Sequence, residues 1–263
     1  MALGGNQHPR MTSIPIDRPE RLLDVIVPVT TVGPVTDFPP FLINSVEGTG
    51  FILGAGFLVT CWHCVAAAPP EGCFYGVTRL GPEGQNLGSP IGRIRQVASN
   101  VDLAVGRVRY TNPLGFRIAE TAPSLGADVW TFGYPLTDIE RLPNGITSFT
   151  AHPPLLKGHV TRPFVYAHPS GVRIPSWELS FAAPEGLSGA PVFLAGTLDI
   201  VGVVYGNNDV RAVEYEGFVD PETGERESAV HRVVSFGLAH HLTSLTKVTE
   251  FLEAPPHSDP PAA

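Results

Sequence analysis

The stretch Pro184-Glu185-Gly186-Leu187-Ser188-Gly189-Ala190-Pro191-Val192 places a serine between two glycines, just before an apolar segment. Glycine adopts backbone conformations that other residues avoid, so the chain can turn sharply on both sides of Ser188. Most serines in glycine-rich turns have no chemical role. A serine hydroxyl is a weak nucleophile near neutral pH, and a catalytic function would need a base beside it.

Two other segments supply the residue types that such a serine needs. Thr60-Cys61-Trp62-His63-Cys64-Val65 follows a predicted hairpin, in which segments 48–53 and 57–60 flank Gly54-Ala55-Gly56. Asn100-Val101-Asp102-Leu103-Ala104-Val105 places one carboxylate at the start of an apolar strand. The chain order is therefore histidine, aspartate, serine, which differs from the order in subtilisins and in α/β-hydrolases.

With these motifs the chain resembles the trypsin-like (chymotrypsin-fold) serine peptidases, and more closely their non-secreted bacterial members. The resemblance rests on Thr60-x-x-His63, on Asp102-Leu103-Ala104 and on Gly186-x-Ser188-Gly189-x-Pro191. Gly133-Tyr134-Pro135 and the apolar strand 201–206 support it, so that it covers roughly residues 45–210.

The resemblance implies a serine endopeptidase that forms an acyl-enzyme on Ser188 and needs no cofactor. His63 would be the general base and then the general acid, and Asp102 would orient its imidazole. The N–H groups of Gly186 and Ser188 would form the oxyanion hole. The expected partner is a protein or peptide substrate.

The resemblance also places the primary specificity pocket. The matching positions are Ala182, Ala183, Val204, Tyr205 and Gly206, with segment 235–237 on the next strand. This lining is small and apolar, so we expect a preference for small to medium uncharged side chains. A shift of one residue in this match would instead bring Glu178 or Glu185 into the pocket.

The glycines and prolines predict the fold class. The chain has 28 glycines and 27 prolines that separate short apolar segments, as in proteins with many strands joined by turns. This pattern predicts an all-β barrel or sandwich. Among these folds, the resemblance implies two packed six-stranded antiparallel barrels. Segment 69–90 is rich in Gly and Pro and predicts a loop.

A C-terminal helix on the second barrel is predicted at 241–253, where apolar residues recur at helical spacing. His240 and His241 lie at its start and are expected to be exposed. The predicted domains are a leader (1–23), a first barrel with His63 and Asp102 (24–115), a second barrel with Ser188 (116–240), the helix (241–253) and a disordered tail (254–263).

Charge and composition exclude some functions. The net charge is −8 and there is no basic patch, so nucleic acid is not expected as a partner. The sequence contains no run of 18 or more apolar residues, so no membrane helix is expected. The N-terminus lacks the apolar stretch of a secretory signal, and an odd number of cysteines argues against a disulfide framework. A cytoplasmic location is expected.

Several alternatives stay open. Secreted trypsin-like zymogens have Asp where this chain has Leu187, so activation by cleavage and N-terminal insertion is not supported. A regulatory protein partner could restrain the enzyme instead. The chain could also be a catalytically silent binding module. Finally, Cys61-x-x-Cys64 with Cys73 and His63 has ligand types and spacing that fit zinc, although this site would use the expected catalytic base; no metal is predicted.

Overall fold

The computed structural model describes residues 19–33, 43–80, 86–135, 137–141, 147–150, 153–167, 173–215, 222–224 and 230–253. The first sheet contains β1 (Ile26–Val32), β2 (Ile43–Leu53), β3 (Phe57–Thr60), β4 (Phe74–Leu80), β5 (Asn86–Pro90), β6 (Gly92–Ala98) and β7 (Val101–Arg107). Then follow β8 (Arg117–Ile118), β9 (Asp128–Phe132), β10 (Asp138–Arg141), β11 (Thr147–Thr150), β12 (Leu155–Ala167), β13 (Arg173–Leu179), β14 (Pro191–Leu194), β15 (Asp199–Tyr215), β16 (Val230–His240) and the helix α1 (Leu242–Glu253).

The second sheet closes into a ring. Its order is β14-β9-β12-β13-β16-β15, and β14 also pairs with β15. Each of these pairings is antiparallel, so the ring is the predicted six-stranded barrel. The two-residue strand β8 is added in parallel at the outer edge of β15.

The first sheet has the order β5-β4-β1-β2-β3-β7-β6. Its two edge strands, β5 and β6, are separated only by Ile91, whose N–H donates to the carbonyl of Tyr75 on β4. Counted together, β5 and β6 are one bent strand that passes from β4 to β7. This half is a curled, irregular barrel, and the predicted all-β fold with two barrel-like halves is confirmed.

The sequence prediction missed β4 and β5 and placed only 235–237 of β16 on a strand. Segment 69–90, predicted as a loop, contains β4 and β5; β4 pairs with β1, and its Tyr75 and Val77 join the apolar core. Segment 230–240 forms β16, which pairs with both β13 and β15. The hairpin β10–β11 lies outside both sheets.

One apolar core joins the two halves. It contains the inner residues of the first sheet together with Trp130, Phe132 and Phe193 of the second. Leu242, Leu245 and Val248 of α1 pack against the same core. The helix contacts β6 and β7 as well as β8 and β15, so it lies across both halves and not on the second alone.

The segment before β1 packs against β1 and β4. Pro19–Asp24 overlaps the end of the predicted leader and forms a 3-10 helix whose Leu22 is fully buried. The predicted tail 254–263 lies outside the described residues. The division at residue 115 stays a prediction, although β7 and β8 on its two sides belong to different sheets. None of the described helices is long and apolar enough to cross a membrane.

Candidate active site

Strand pairing brings His63 and Asp102 together. Thr60 at the end of β3 pairs with Ala104 on β7, so the turn Trp62–Cys64 that follows β3 lies beside the start of β7. His63 Nδ1 and Asp102 Oδ2 are 2.7 Å apart. The backbone N–H of His63 donates to the other carboxylate oxygen, Oδ1, at 2.8 Å. Both oxygens of Asp102 therefore hold His63.

This pair has an electrostatic consequence. Burial opposes the charged imidazolium, but hydrogen bonds with Asp102 and Cys64 outweigh it and raise the pKa of His63 to about 10. Burial would raise the pKa of Asp102, but His63 lowers it below its ordinary value. The carboxylate therefore stays charged. The His63 side chain is 48% exposed, so solvent or a substrate can reach the imidazole.

The loop around Ser188 depends on two glycines in the left-handed region. Gly186 has φ +90° and Gly189 has φ +91°, where side chains cause strain. A Cβ on Gly189 would also collide with the carbonyl oxygen of Thr49. Among the described residues, no acceptor is hydrogen-bonded to the N–H of Gly186 or of Ser188. Both donors are thus available to an incoming oxygen.

Thr49 fixes this loop on the first sheet, and it was missed by the sequence analysis. Its Oγ1 donates to the carbonyl of Gly186 at 2.8 Å, and its N–H donates to the carbonyl of Ser188 at 2.8 Å. The N–H of Tyr134 donates to Thr49 Oγ1 at 3.0 Å. The one signal in the sequence was the flanking pair of glycines in Gly48-Thr49-Gly50.

The Ser188 hydroxyl is not hydrogen-bonded to the His63–Asp102 pair among the described residues. Ser188 Oγ donates to the carbonyl of Tyr205 at 3.3 Å. Among the described residues, Ser188 and His63 share no hydrogen bond. Cys64 Sγ, next along the chain from His63, lies 3.8 Å from the carbonyl oxygen of Ser188. In active sites without substrate, catalytic hydrogen bonds are often long or misaligned and tighten only when substrate binds.

A cleft of about 470 Å³ lies beside His63 and Asp102. Its other lining residues are Trp62, Ala66, Gln96, Ser99, Asn100, Val101, Tyr166, Ile174, Tyr205, Gly206, Asn207 and Leu238. Of the predicted pocket residues, Tyr205 and Gly206 line this cleft, whereas Ala182, Ala183 and Val204 do not. Asn207 joins the two regions, because its side-chain amide bonds both the N–H and the carbonyl of Ala183, at 2.6 Å and 2.8 Å.

The two acidic residues that could have entered the pocket lie in different environments. The carboxylate of Glu178 accepts hydrogen bonds from Arg162, Thr161 and Asn208. Arg162 makes the largest contribution to holding the pKa of Glu178 below its ordinary value. This charge is therefore already paired. Glu185 is exposed in the loop before Ser188.

The predicted zinc ligands are not brought together. Within the described ranges, no three of Cys61, Cys64, Cys73 and His63 have ligand atoms close enough to share an ion. The group that does have this spacing is Cys61, Asp102 and His240, whose ligand atoms lie within 4.8 Å of one another. The zinc alternative of the sequence analysis is not favoured.

His240 is buried, contrary to the expectation that it would be exposed. Its relative exposure is 0%. It is the last residue of β16 and pairs with Ser176 on β13 and with Val203 on β15. The end of β16 is buried throughout, at Leu238, Ala239 and His240, and the helix begins only afterwards, at Leu242.

Comparisons with known proteins agree with this architecture. The family model described as trypsin-like peptidase domain matches residues 48–203. The active form of the Rv3671c protease from M. tuberculosis is similar in structure, with a TM-score of 0.54 and 18% identity over 91% of this chain and 86% of that chain. Its inactive form has a TM-score of 0.52 and 19% identity over 91% of this chain and 95% of that chain. These structural likenesses concern the fold. No curated protein matches the sequence.

Proposed function

The chain belongs to the trypsin-like peptidase family, and on that premise we propose that it is a serine endopeptidase that cleaves peptide bonds through an acyl-enzyme on Ser188. The observation that carries the proposal is the pair of hydrogen bonds from His63 to the two oxygens of Asp102. The paired imidazole is partly exposed, and it stands beside a serine loop with two available N–H donors.

The proposed reaction has two halves. Ser188 Oγ attacks the substrate carbonyl carbon while its proton passes to His63 Nε2. The N–H groups of Gly186 and Ser188 stabilise the resulting oxyanion, and each such donor typically lowers the barrier by about 2.7–4 kcal/mol. His63 then protonates the leaving amine as the C–N bond breaks. Water, activated by His63, hydrolyses the acyl-enzyme and releases the second product.

A catalytically silent binding module is the rival. The intact His63–Asp102 pair argues against it, because a module that only binds has no need of an oriented imidazole. The glycines at 186 and 189 argue in the same direction, since they leave the N–H groups of the serine loop available.

The experiment that separates enzyme from module uses a denatured proteome as the substrate. We expect wild-type protein to create new N-termini that do not appear with Ser188→Ala. Mass spectrometry of labelled termini measures the difference. The same set of new termini with both proteins, or none with either at alkaline pH, would show that the chain is not a Ser188-dependent peptidase.

The pH dependence follows from the raised pKa of His63. Only the neutral imidazole can accept the serine proton, so kcat/KM should increase from neutral pH toward about pH 10, the pKa of His63. Stability should change in the opposite direction. A pKa raised above 6.5 contributes stability below pH 6.5 that is lost as the pH rises toward about 10.

We expect kcat/KM to rise and the melting temperature to fall as the pH increases. Both are measured from pH 6 to pH 10.5, the first from initial rates with a peptide substrate. An acid limb centred at or below the ordinary histidine pKa of about 6.5 would contradict it. The exposed His159, replaced by glutamine, is the matched control and should leave both curves unchanged.

We propose that the residue before the cleaved bond is small to medium and uncharged and that it binds where Tyr205 and Gly206 line the cleft. Of the other predicted pocket residues, Ala183 (next to Ala182) is joined to this region through Asn207, whereas Val204 is fully buried and does not line it. Without a carboxylate in the pocket, a Lys or Arg side chain gains little for the cost of losing its water. Glu178 does not provide one, since Arg162 already pairs with it. Discrimination should be modest, because one methylene is worth roughly 1–3 kcal/mol.

A peptide library with a varied residue before the cut measures this preference. We expect Ala, Val and similar residues to give the highest kcat/KM and Lys and Arg to be poor. Strong cleavage after Lys or Arg, lost in Glu185→Gln but retained in Glu222→Gln, would show that Glu185 lines the pocket and that this mapping is wrong.

Location and control complete the proposal. All three cysteines are free thiols, which supports work in a reducing compartment such as the cytoplasm.

A regulatory protein partner is proposed because the Ser188 hydroxyl is bonded to Tyr205 and not to His63, so binding of a substrate or a partner would have to turn it.

A further inference from the structure

His240 is fully buried, and its ring makes no hydrogen bond of ordinary geometry to the part of the chain that the structure describes, although its ring lies close to the backbone of Asp102. Neither Nδ1 nor Nε2 has a partner among the described residues. Leaving a buried polar group unpaired costs stability that an apolar side chain of the same shape would not cost. A buried polar group that remains unpaired therefore calls for a functional explanation.

The groups around His240 show what it could serve. Its Nε2 lies 3.9 Å from Asp102 Oδ2, the oxygen that His63 Nδ1 also contacts. The Tyr205 ring packs on the imidazole with centroids 4.6 Å apart. Cys61, Tyr205 and His63 are the other titratable neighbours. Burial raises the pKa of the Cys61 thiol and of the Tyr205 hydroxyl, so both stay neutral, whereas the charge on His63 disfavours a second charge on His240. Asp102 is thus the negatively charged group that faces His240.

His240 is itself uncharged at neutral pH. Burial lowers its pKa to about 4 and outweighs the carboxylate and the backbone of Asp102, which both act in the opposite direction; the charge on His63 adds to the effect of burial. A neutral imidazole has one N–H donor. With the proton on Nε2, that donor faces Asp102 without adding a second positive charge that would compete with His63.

We infer that His240 is a positioning residue that donates Nε2–H to Asp102 from behind and fixes the carboxylate on His63. The inference rests on the proposed function and deepens it. At 3.9 Å the contact is not yet a hydrogen bond, and a movement of about 1 Å would bring it to ordinary length. The His63 backbone N–H holds Oδ1, while His63 and His240 share Oδ2.

Two amide substitutions separate this role from a structural one. Glutamine places an amide N–H near the position of histidine Nε2, whereas asparagine places it near Nδ1. We expect His240→Gln to keep kcat within a few-fold of wild type. His240→Asn should lower kcat by about tenfold, as expected for loss of one hydrogen bond to a charged group, with KM unchanged. Equal kcat values for the two variants would overturn the inference.

His240→Phe adds a second readout, because it keeps a ring against Tyr205 but removes both nitrogens. With one donor fewer, Asp102 interacts more strongly with His63. The acid limb of the pH–rate profile should therefore move to higher pH, with kcat reduced about tenfold or more. The melting temperature should stay the same or increase. If this variant keeps both the acid limb of the wild-type pH–rate profile and the wild-type kcat, His240 only fills space.

Two controls keep the outcomes distinct. His159→Phe makes the same substitution at an exposed site and should match wild type. Wild-type and Ser188→Ala proteins are assayed in parallel, so absence of Ser188-dependent turnover would defeat the proposed function, whereas unaffected His240 variants would defeat only this inference. Stoichiometric zinc in the purified protein, released by a chelator with a gain of activity, would make His240 a metal ligand and overturn its positioning role.

Discussion

Replacing Ser188 with alanine is expected to lower peptide hydrolysis by about a millionfold, the loss typical of removing a serine nucleophile. The change removes only Oγ, and without it no acyl-enzyme can form. The available N–H groups of Gly186 and Ser188 belong to the backbone and remain in place. Ser188 Oγ donates only to the carbonyl of Tyr205 at 3.3 Å, so the loss of stability should be about 1 kcal/mol or less.

Three measurements check this prediction. Initial rates give the loss of activity, a fluorophosphonate reagent should label wild type but not the variant, and thermal unfolding should show nearly equal melting temperatures. Ser124→Ala removes an exposed serine hydroxyl from a loop and serves as the matched control. If Ser188→Ala still cleaves at the wild-type rate, or if the reagent labels another residue, the nucleophile has been assigned to the wrong side chain.

The parts of this molecule that were predictable from sequence are those encoded by adjacent residues. The glycines around Ser188, the turn at His63 and the strand that begins beside Asp102 each occupy a few consecutive positions, so local patterns reveal them. The same holds for β3, predicted from the Gly54-Ala55-Gly56 turn, and for the helix α1, predicted from the helical spacing of apolar residues. Both lie close to their predicted positions.

The parts that were missed depend on contacts between distant segments. The burial of His240 requires β16 to lie between β13 and β15. The sequence analysis placed only 235–237 on a strand and assigned His240 to a helix start, because the apolar residues that follow recur at helical spacing. Thr49 acts on the loop of Ser188 through bonds across 137 positions. The hydroxyl direction of Ser188 is a rotamer, which no sequence pattern determines. Tertiary structure alone shows these three features.

Asp102→Asn should reduce kcat/KM by about ten-thousandfold, because it forces the wrong tautomer on His63. The backbone N–H of His63 requires an acceptor at the Oδ1 position, so the amide oxygen takes that place. The amide NH₂ then faces His63 Nδ1, 2.7 Å from the present Oδ2 position. Two donors cannot face each other, so Nδ1 gives up its proton, Nε2 carries it, and the base can no longer accept a proton from Ser188.

The same substitution has a second signature in the pH profile. Asp102 is a principal cause of the raised pKa of His63, so removing its charge should move the acid limb down toward the ordinary value of about 6.5 while the plateau falls. Nitrogen NMR of the imidazole measures both the tautomer and the pKa. Asp128→Asn, at an exposed strand end, is the control. A variant with wild-type kcat/KM would mean that Asp102 does not orient the base. An unchanged rate with a lowered pKa would mean that its charge, but not its geometry, matters to His63.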